Sequence, residues 1–66
     1  MHILLNGEAR EVPQDSTLSD LLATLDLQNT RFAVEINAEL VPRSEHRSHR
    51  LRLDDRVEVV QAIGGG

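Results

Sequence analysis

The sequence contains no cysteine, no lysine, no tryptophan and no tyrosine, and Phe32 is its only residue of the phenylalanine, tryptophan and tyrosine class. Without cysteine the fold cannot depend on disulfide bonds, which excludes a small disulfide-stapled secreted scaffold. Aliphatic side chains must therefore supply nearly all of the core. A chain of 66 residues buries only about 60% of the surface of its unfolded form, which leaves no room for a deep catalytic pocket. We expect one small domain that is not an enzyme by itself.

Positive charge is also scarce, since seven arginines oppose eleven acidic residues and the net charge is −4. This balance argues against a nucleic-acid partner, whose affinity comes from neutralising phosphates. It favours a protein partner with a basic surface. No apolar run approaches the ~20 residues that span a membrane, and the first apolar run is too short for a signal peptide. We expect a cytoplasmic chain without membrane contact, monomeric when free.

The first part of the chain has the pattern of a β-hairpin. The apolar run His2–Leu5 leads into Asn6-Gly7, a pair typical of the two-residue type I′ turn. Residues 8–12 then predict a second strand that Pro13 ends, because proline cannot donate to the sheet.

A helix is predicted next. Ser16 or Thr17 can cap its first turn, and Asp20, three residues after Thr17, gives a weak capping-box pattern. The helix is expected to end near Asp26. Four leucines at positions i, i+3, i+4 and i+7 form one apolar stripe that predicts packing against a core: Leu18, Leu21, Leu22 and Leu25.

The second half predicts three more strands. Residues 32–36 alternate with period two, Asn37-Ala38 marks a turn, and residues 39–41 form a short strand before Pro42. Residues 43–50 are polar and irregular and can contain a short helical turn. Leu51 and Leu53 are expected to return to the core. Asp54 and Asp55 mark a turn, and residues 57–61 predict the last strand.

The element order is therefore β-β-α-β-β-β. One amphipathic helix can cover one face of a mixed sheet of four or five strands, with the last strand parallel to the first and the other face partly open. This predicts an α+β fold, the ubiquitin-like β-grasp, over residues 1–61. A flexible glycine-rich tail is predicted for residues 62–66.

The tail is the strongest functional signal. Three glycines directly behind a strand leave the terminal carboxylate on a tether without side chains, although a frayed terminus would look the same. Extended, residues 62–66 span about 17 Å at ~3.4 Å per residue, enough to enter a narrow channel in a partner. We therefore predict that the tip of the tail, the Gly66 carboxylate, is the group presented to the partner, and that Ile63, Gly64 and Gly65 form the segment inside the channel.

Two further residues are predicted to dock a partner. Leu4 has the opposite parity to its neighbours Ile3 and Leu5, and Val60 has the opposite parity to Val59. Leu4 and Val60 would then lie on the open face of the sheet. Apolar groups that cluster on a surface often mark a partner site.

The histidines carry a weaker signal. His46 and His49 lie three residues apart near Glu45, but no third firm metal ligand is evident. The flanking arginines would also repel a cation, so a solvated polar loop without a metal site is predicted. The acids Asp54, Asp55 and Glu58 could steer a basic partner surface, or be ordinary solvated residues.

Three segments resemble the ThiS family, the sulfur carriers of thiamine biosynthesis. They are the opening Ile3-Leu4-Leu5-Asn6-Gly7-Glu8, then Val34-Glu35-Ile36-Asn37 followed by Val41-Pro42-Arg43, and the ending Val57-Glu58-Val59-Val60-Gln61-Ala62-Ile63-Gly64-Gly65-Gly66. The resemblance spans the whole chain.

The resemblance implies a specific chemistry. A ThiF-type, E1-like adenylyltransferase would bind MgATP and adenylate the Gly66 carboxylate. A persulfide protein would then supply sulfur to form a thiocarboxylate, and thiazole synthase, ThiG, would take that sulfur into the thiazole ring. ATP and Mg²⁺ would belong to the activating enzyme, and the carrier itself would bind no cofactor.

Three alternatives stay open at this point. The small subunit of molybdopterin synthase has the same fold and chemistry, but those chains are usually longer. A ubiquitin-like modifier would be joined to lysines instead of carrying sulfur. A plain interaction domain would have an inert tail.

Overall fold

The computed structural model describes residues 1–27 and 30–61. Within these ranges it contains a short α-helix, α1 (Leu18–Leu22), and a 3₁₀ turn over Arg43–Glu45. Its five strands are β1 (His2–Leu5), β2 (Glu8–Glu11), β3 (Phe32–Ile36), β4 (Glu39–Val41) and β5 (Arg56–Gln61). Among the residues described, no helix is long and apolar enough to cross a membrane.

The five strands form one mixed sheet in the order β2-β1-β5-β3-β4. β1 and β5 are parallel, and the other neighbouring pairs are antiparallel. The last strand of the chain therefore lies at the centre of the sheet, beside the first. This is the β-grasp topology predicted from the element order, with five strands.

The core lies between the sheet and α1. Leu18 and Leu21 of the helix are buried against the inward-facing residues of the strands. Four side chains are almost completely buried: Ile3, Leu18, Val34 and Val57. Each such side chain contributes about 1.5–3 kcal/mol relative to an exposed one. Since the helix covers one face, the opposite face of the sheet is open, and its apolar residues Leu40 and Val60 are exposed.

The start of α1 follows the predicted pattern. Thr17 is the N-cap, and its hydroxyl accepts a hydrogen bond from the Asp20 backbone N–H at 3.1 Å. The Asp20 carboxylate accepts in return from the Thr17 N–H at 3.0 Å. Both halves of a capping box are therefore present.

The helix ends earlier than predicted, at Leu22 instead of near Asp26. The amide N–H of Thr24 donates to the Leu21 carbonyl at 3.0 Å, and the Thr24 hydroxyl donates to the same carbonyl at 2.7 Å. This three-residue spacing tightens the last turn and competes with continued α-helix. Leu25 still packs against the core, but from outside the helix.

Both hairpins turn on an asparagine with positive φ. Asn6 (φ 51°) and Gly7 (φ 83°) join β1 to β2, as predicted, and Asn37 (φ 52°) and Ala38 (φ 70°) join β3 to β4. Two consecutive positive φ angles are the signature of the type I′ turn, whose twist matches that of the strands. Ala38 adopts this conformation despite its side chain.

Two strand boundaries and one core residue also need correction. β2 ends at Glu11 and β5 begins at Arg56, one residue from the predicted limits, although Val12 is still buried. Leu51 is buried as predicted, but Leu53 is 64% exposed, so its placement in the core was wrong. Leu53 belongs to the turn before β5, and Asp54 (φ 67°) reverses the chain there.

Candidate functional site

The base of the tail is the end of the central strand. β3 accompanies β5 to its last residue, in the pair Phe32↔Gln61. β1 pairs with β5 only at its start, with Leu5↔Val57 as the last pair. The chain then turns away at Asn6, so the final residues of β5 extend beyond β1. At its end, β5 is therefore paired with β3 on one side, while β1 no longer pairs with it on the other.

Two hairpin asparagines hold β5 in place. The side-chain oxygen of Asn6 accepts from the Val59 N–H at 2.9 Å, beyond the last β1–β5 pair. The side-chain oxygen of Asn37 accepts from the Arg56 N–H at 3.0 Å, at the start of β5. Sequence reasoning identified these asparagines as turn residues only. Their second role has no local signal, because it depends on strands distant in sequence.

Asp55, the residue before β5, supports the start of that strand. It is only 7% exposed, and its two carboxylate oxygens accept from the Asn37 side-chain amide at 3.0 Å and from the Arg52 backbone N–H at 2.9 Å. The suggestion that Asp55 steers a partner was therefore wrong, since its charge is used internally. Asp54 and Glu58 remain exposed.

A small ring cluster lies beside the tail base. The ring of Phe32, the residue paired with Gln61, stacks on the His46 ring with 6.3 Å between centroids. The Arg43 guanidinium lies over the Phe32 ring, 5.5 Å from its centroid, a distance at which a cation is attracted to the ring. The Val-Pro-Arg segment is thus brought against β3, the strand that pairs with β5 up to its last residue.

His46 differs from its prediction as part of a solvated loop. It is 8% exposed, and its Nε2–H donates to the Val41 carbonyl at 3.1 Å. The 3₁₀ turn directs the chain back onto β3 and β4, which buries this histidine while leaving His49 half-buried. No group of three or more potential metal ligands exists within the described ranges.

The open face contains the two predicted docking residues. Val57 is buried and Val59 packs against the core, whereas Val60 is 55% exposed, so the predicted parity is confirmed. Leu4 is half-buried. Since Leu4 pairs with Arg56, it lies four residues along β5 from Val60, about 13 Å at ~3.3 Å per residue. The two residues share a face without forming one cluster, and their docking role stays a prediction.

Leu40 is an apolar residue of this face that sequence reasoning missed. It is 65% exposed and pairs with Glu35, while Val60 pairs with Ala33. Directly opposed residues share a face, so Leu40 and Val60 flank the same part of the sheet. The alternation in β4 could have indicated this, since the adjacent Val41 is buried.

The comparison with known proteins places this geometry in a family. The model of the ThiS family matches residues 3–66. The chain belongs to the ThiS family. A sulfur carrier protein ThiS from Escherichia coli strain K12 is 33% identical over 66 residues, covering 100% of both chains. The crystal structure of a thiamine biosynthesis protein ThiS from Geobacter metallireducens has a TM-score of 0.83 at 26% identity, again with 100% of both chains covered.

Longer proteins also contain a segment of the ThiS type. Thiazole synthase of Paramagnetospirillum magneticum is 36% identical over 66 residues, which cover 100% of this chain and 20% of that protein. The chain therefore spans a fifth of the length of this relative.

The remaining predicted site residues lie outside the described residues. These are Ile63, Gly64, Gly65 and Gly66. The ThiS family match extends through all four. The described part of the site is thus the strand that carries the tail, its supports and the open face of the sheet.

Proposed function

We propose that the chain is a sulfur carrier of thiamine biosynthesis that receives and delivers sulfur at the carboxylate of Gly66. The observation that carries the proposal is the family match through residue 66 on a chain whose central strand leads directly into that terminus. The relatives named sulfur carrier protein support it. A cytoplasmic location is part of the proposal, since activation consumes ATP.

The first step is activation of the carboxylate. A carboxylate is a poor electrophile, so it must acquire a leaving group before sulfur can attack its carbon. A ThiF-type activating enzyme would supply MgATP, and a Gly66 carboxylate oxygen would attack the α-phosphorus to give an acyl-adenylate and pyrophosphate. The metal and charged groups that stabilise this transition state would belong to the enzyme.

The second step is transfer of sulfur. The terminal sulfur of a persulfide protein would attack the acyl carbon and displace AMP, leaving an acyl disulfide. A thiol would cleave its sulfur–sulfur bond, become a disulfide with the donor, and release the thiocarboxylate. The carrier has no cysteine, so every thiol must come from a partner and the sulfur it carries must be at its own terminus.

Delivery to a thiazole synthase completes the proposal. Two relatives named thiazole synthase contain a segment similar to this entire chain, which supports such an enzyme as the partner that takes the sulfur. The partners would receive the tail in a channel lined for Ile63, Gly64 and Gly65. The open face, including Leu4 and Val60, would contact the enzyme surface around that channel.

The test is removal of the tip. Deletion of Gly66, or addition of one alanine after it, should abolish ATP–pyrophosphate exchange with the host's ThiF-type enzyme. Neither change touches the buried core, so the free energy of unfolding should change by less than ~0.5 kcal/mol, which circular dichroism would verify. Unchanged exchange by the truncated chain would refute the proposal.

Mass spectrometry of the chain purified from its host separates the alternatives. A thiocarboxylate raises the mass of the C-terminal peptide by the difference between sulfur and oxygen. Conjugates of higher mass would instead indicate a protein modifier, and an unmodified terminus an interaction domain. A thiocarboxylate that transfers its sulfur to a molybdopterin precursor but not to thiazole would favour the molybdopterin synthase subunit.

A further inference from the structure

Two glutamates are directly paired on the open face of the sheet. Glu35 of β3 is paired directly with Glu58 of β5, and both neighbours of Glu35 in β3, Val34 and Ile36, are buried on the helix side. The two glutamates therefore project from the opposite side. Directly opposed side chains have Cβ atoms about 5 Å apart, and like charges at this separation destabilise a sheet.

No ion pair in the described part of the chain involves either of these glutamates. The three ion pairs of residues 1–27 and 30–61 lie elsewhere. Arg56 has the parity of Glu58 and lies on the same face, but it is two residues away along β5, about 7 Å, and it is exposed. The repulsion between the two glutamates thus persists in the free chain.

Apolar side chains flank the acidic pair. Leu40 pairs with Glu35 on the side away from Glu58, and Val60 follows two residues after Glu58 on the same face. They are 65% and 55% exposed, and with Leu53 they are the large hydrophobic residues most exposed in the described chain. This arrangement is unfavourable in a free monomer, and it becomes favourable in a complex that covers the apolar groups and places a positive charge between the two carboxylates.

We propose that this face docks a protein partner that places one arginine or lysine side chain between Glu35 and Glu58, with apolar contacts to Leu40 and Val60. The inference rests on the proposed function, since the partner is taken to be the activating enzyme. Arginine suits the site well, because its planar guanidinium can donate to two carboxylates at once. A second copy binding face to face is disfavoured, because it would bring four carboxylates together.

The proposal makes opposite predictions for folding and for binding. Glu58→Gln and Glu35→Gln each remove the repulsion, so each should raise the Tm of the free chain by about 1–8 °C. Each should also remove a partner of the incoming cation, and so raise the KM for the carrier in ATP–pyrophosphate exchange by about 10-fold, with kcat unchanged. A purely structural role would not produce both shifts.

Glu8→Gln is the matched control. Glu8 is an exposed glutamate of β2 that pairs with Leu5 and so has the parity of the helix side. The substitution changes the net charge equally, and neither Tm nor KM should shift as in the other two variants. Raising the salt concentration should raise the KM of the wild type more than that of Glu58→Gln. Salt screens the contact between Glu58 and the partner's cation, and the variant lacks that contact.

The outcomes are distinguishable. If the wild-type chain supports no ATP–pyrophosphate exchange, the proposed function is refuted, and so is the inference that the activating enzyme docks on this face. Exchange with an unchanged KM in Glu35→Gln and Glu58→Gln would overturn the docking inference alone. An equal rise of KM in Glu8→Gln would show a general charge effect and would overturn the inference. Self-association of the wild-type chain in sedimentation that becomes stronger in Glu35→Gln and Glu58→Gln would show that a second copy occupies the face, and would also overturn it.

Discussion

The two faces of β5 can be tested with one conservative substitution at two positions. Val57→Thr and Val60→Thr both keep a β-branched side chain of nearly the same volume, and so preserve the preference for strand. Val57 is 1% exposed and Val60 is 55% exposed. Any difference between the two variants must therefore come from burial.

The expected magnitudes follow from those exposures. At position 57 the new hydroxyl would lie among Leu5 and Ile36, the two residues paired with it, without a side-chain partner. An unsatisfied buried polar group costs about 1–3 kcal/mol, and 1 kcal/mol shifts the Tm of a domain this small by about 4–8 °C. At position 60 the hydroxyl stays in water, so the free energy of unfolding should change by less than ~0.5 kcal/mol.

Binding should show the reverse order. If a partner covers the open face, Val60→Thr loses a methyl contact and desolvates a hydroxyl, which should weaken binding by about 1–2 kcal/mol, roughly 5–30-fold. Val60→Asp should weaken it further, since a charge would be desolvated in the contact. Urea unfolding and titration calorimetry with the activating enzyme give both quantities.

Two results would refute this reasoning. If Val60→Thr destabilises the chain as much as Val57→Thr, then Val60 is part of the core in solution. If Val60→Thr binds as tightly as the wild type, the partner contacts another surface. Under conditions in which Val57→Thr is folded, it should bind the activating enzyme as tightly as the wild type. This variant therefore controls for indirect effects of lower stability on binding.

Two further predictions concern the turn between β3 and β4 and the buried aspartate before β5. Ala38→Gly should raise the free energy of unfolding by about 0.5–1 kcal/mol in urea titration, because φ 70° strains a residue with a side chain and glycine adopts it freely; a loss of stability would contradict the observed turn. Asp55→Ala should lower it by about 1–3 kcal/mol, since the Asn37 amide and the Arg52 N–H lose their acceptor, whereas the exposed Asp54→Ala should stay within about 1 kcal/mol of wild type. Equal effects of the two aspartate changes would disprove the buried role of Asp55.

The sequence by itself determined the features that depend on near neighbours. The Asn6-Gly7 turn, the capping box of Thr17 and Asp20, and the period-two strand of residues 32–36 all appear in the structure where they were predicted. Turn conformation, capping and side-chain periodicity are set by residues within a few positions of one another, so a single sequence is enough to locate them. The glycine tail and the family resemblance were equally visible there.

Only the tertiary structure decided which distant residues meet. The helix stops at Leu22 because the Thr24 hydroxyl and amide bond to a nearby carbonyl instead of extending the turn, and the exposure of Leu53 depends on how the chain enters β5. The burial of His46 depends on Phe32 and Val41. The opposition of Glu35 and Glu58 depends on the register of β3 against β5, and a shift of one residue would move each side chain to the other face. Register is fixed by packing across the whole sheet, and for that reason the pairing of these two glutamates could be known only from the fold.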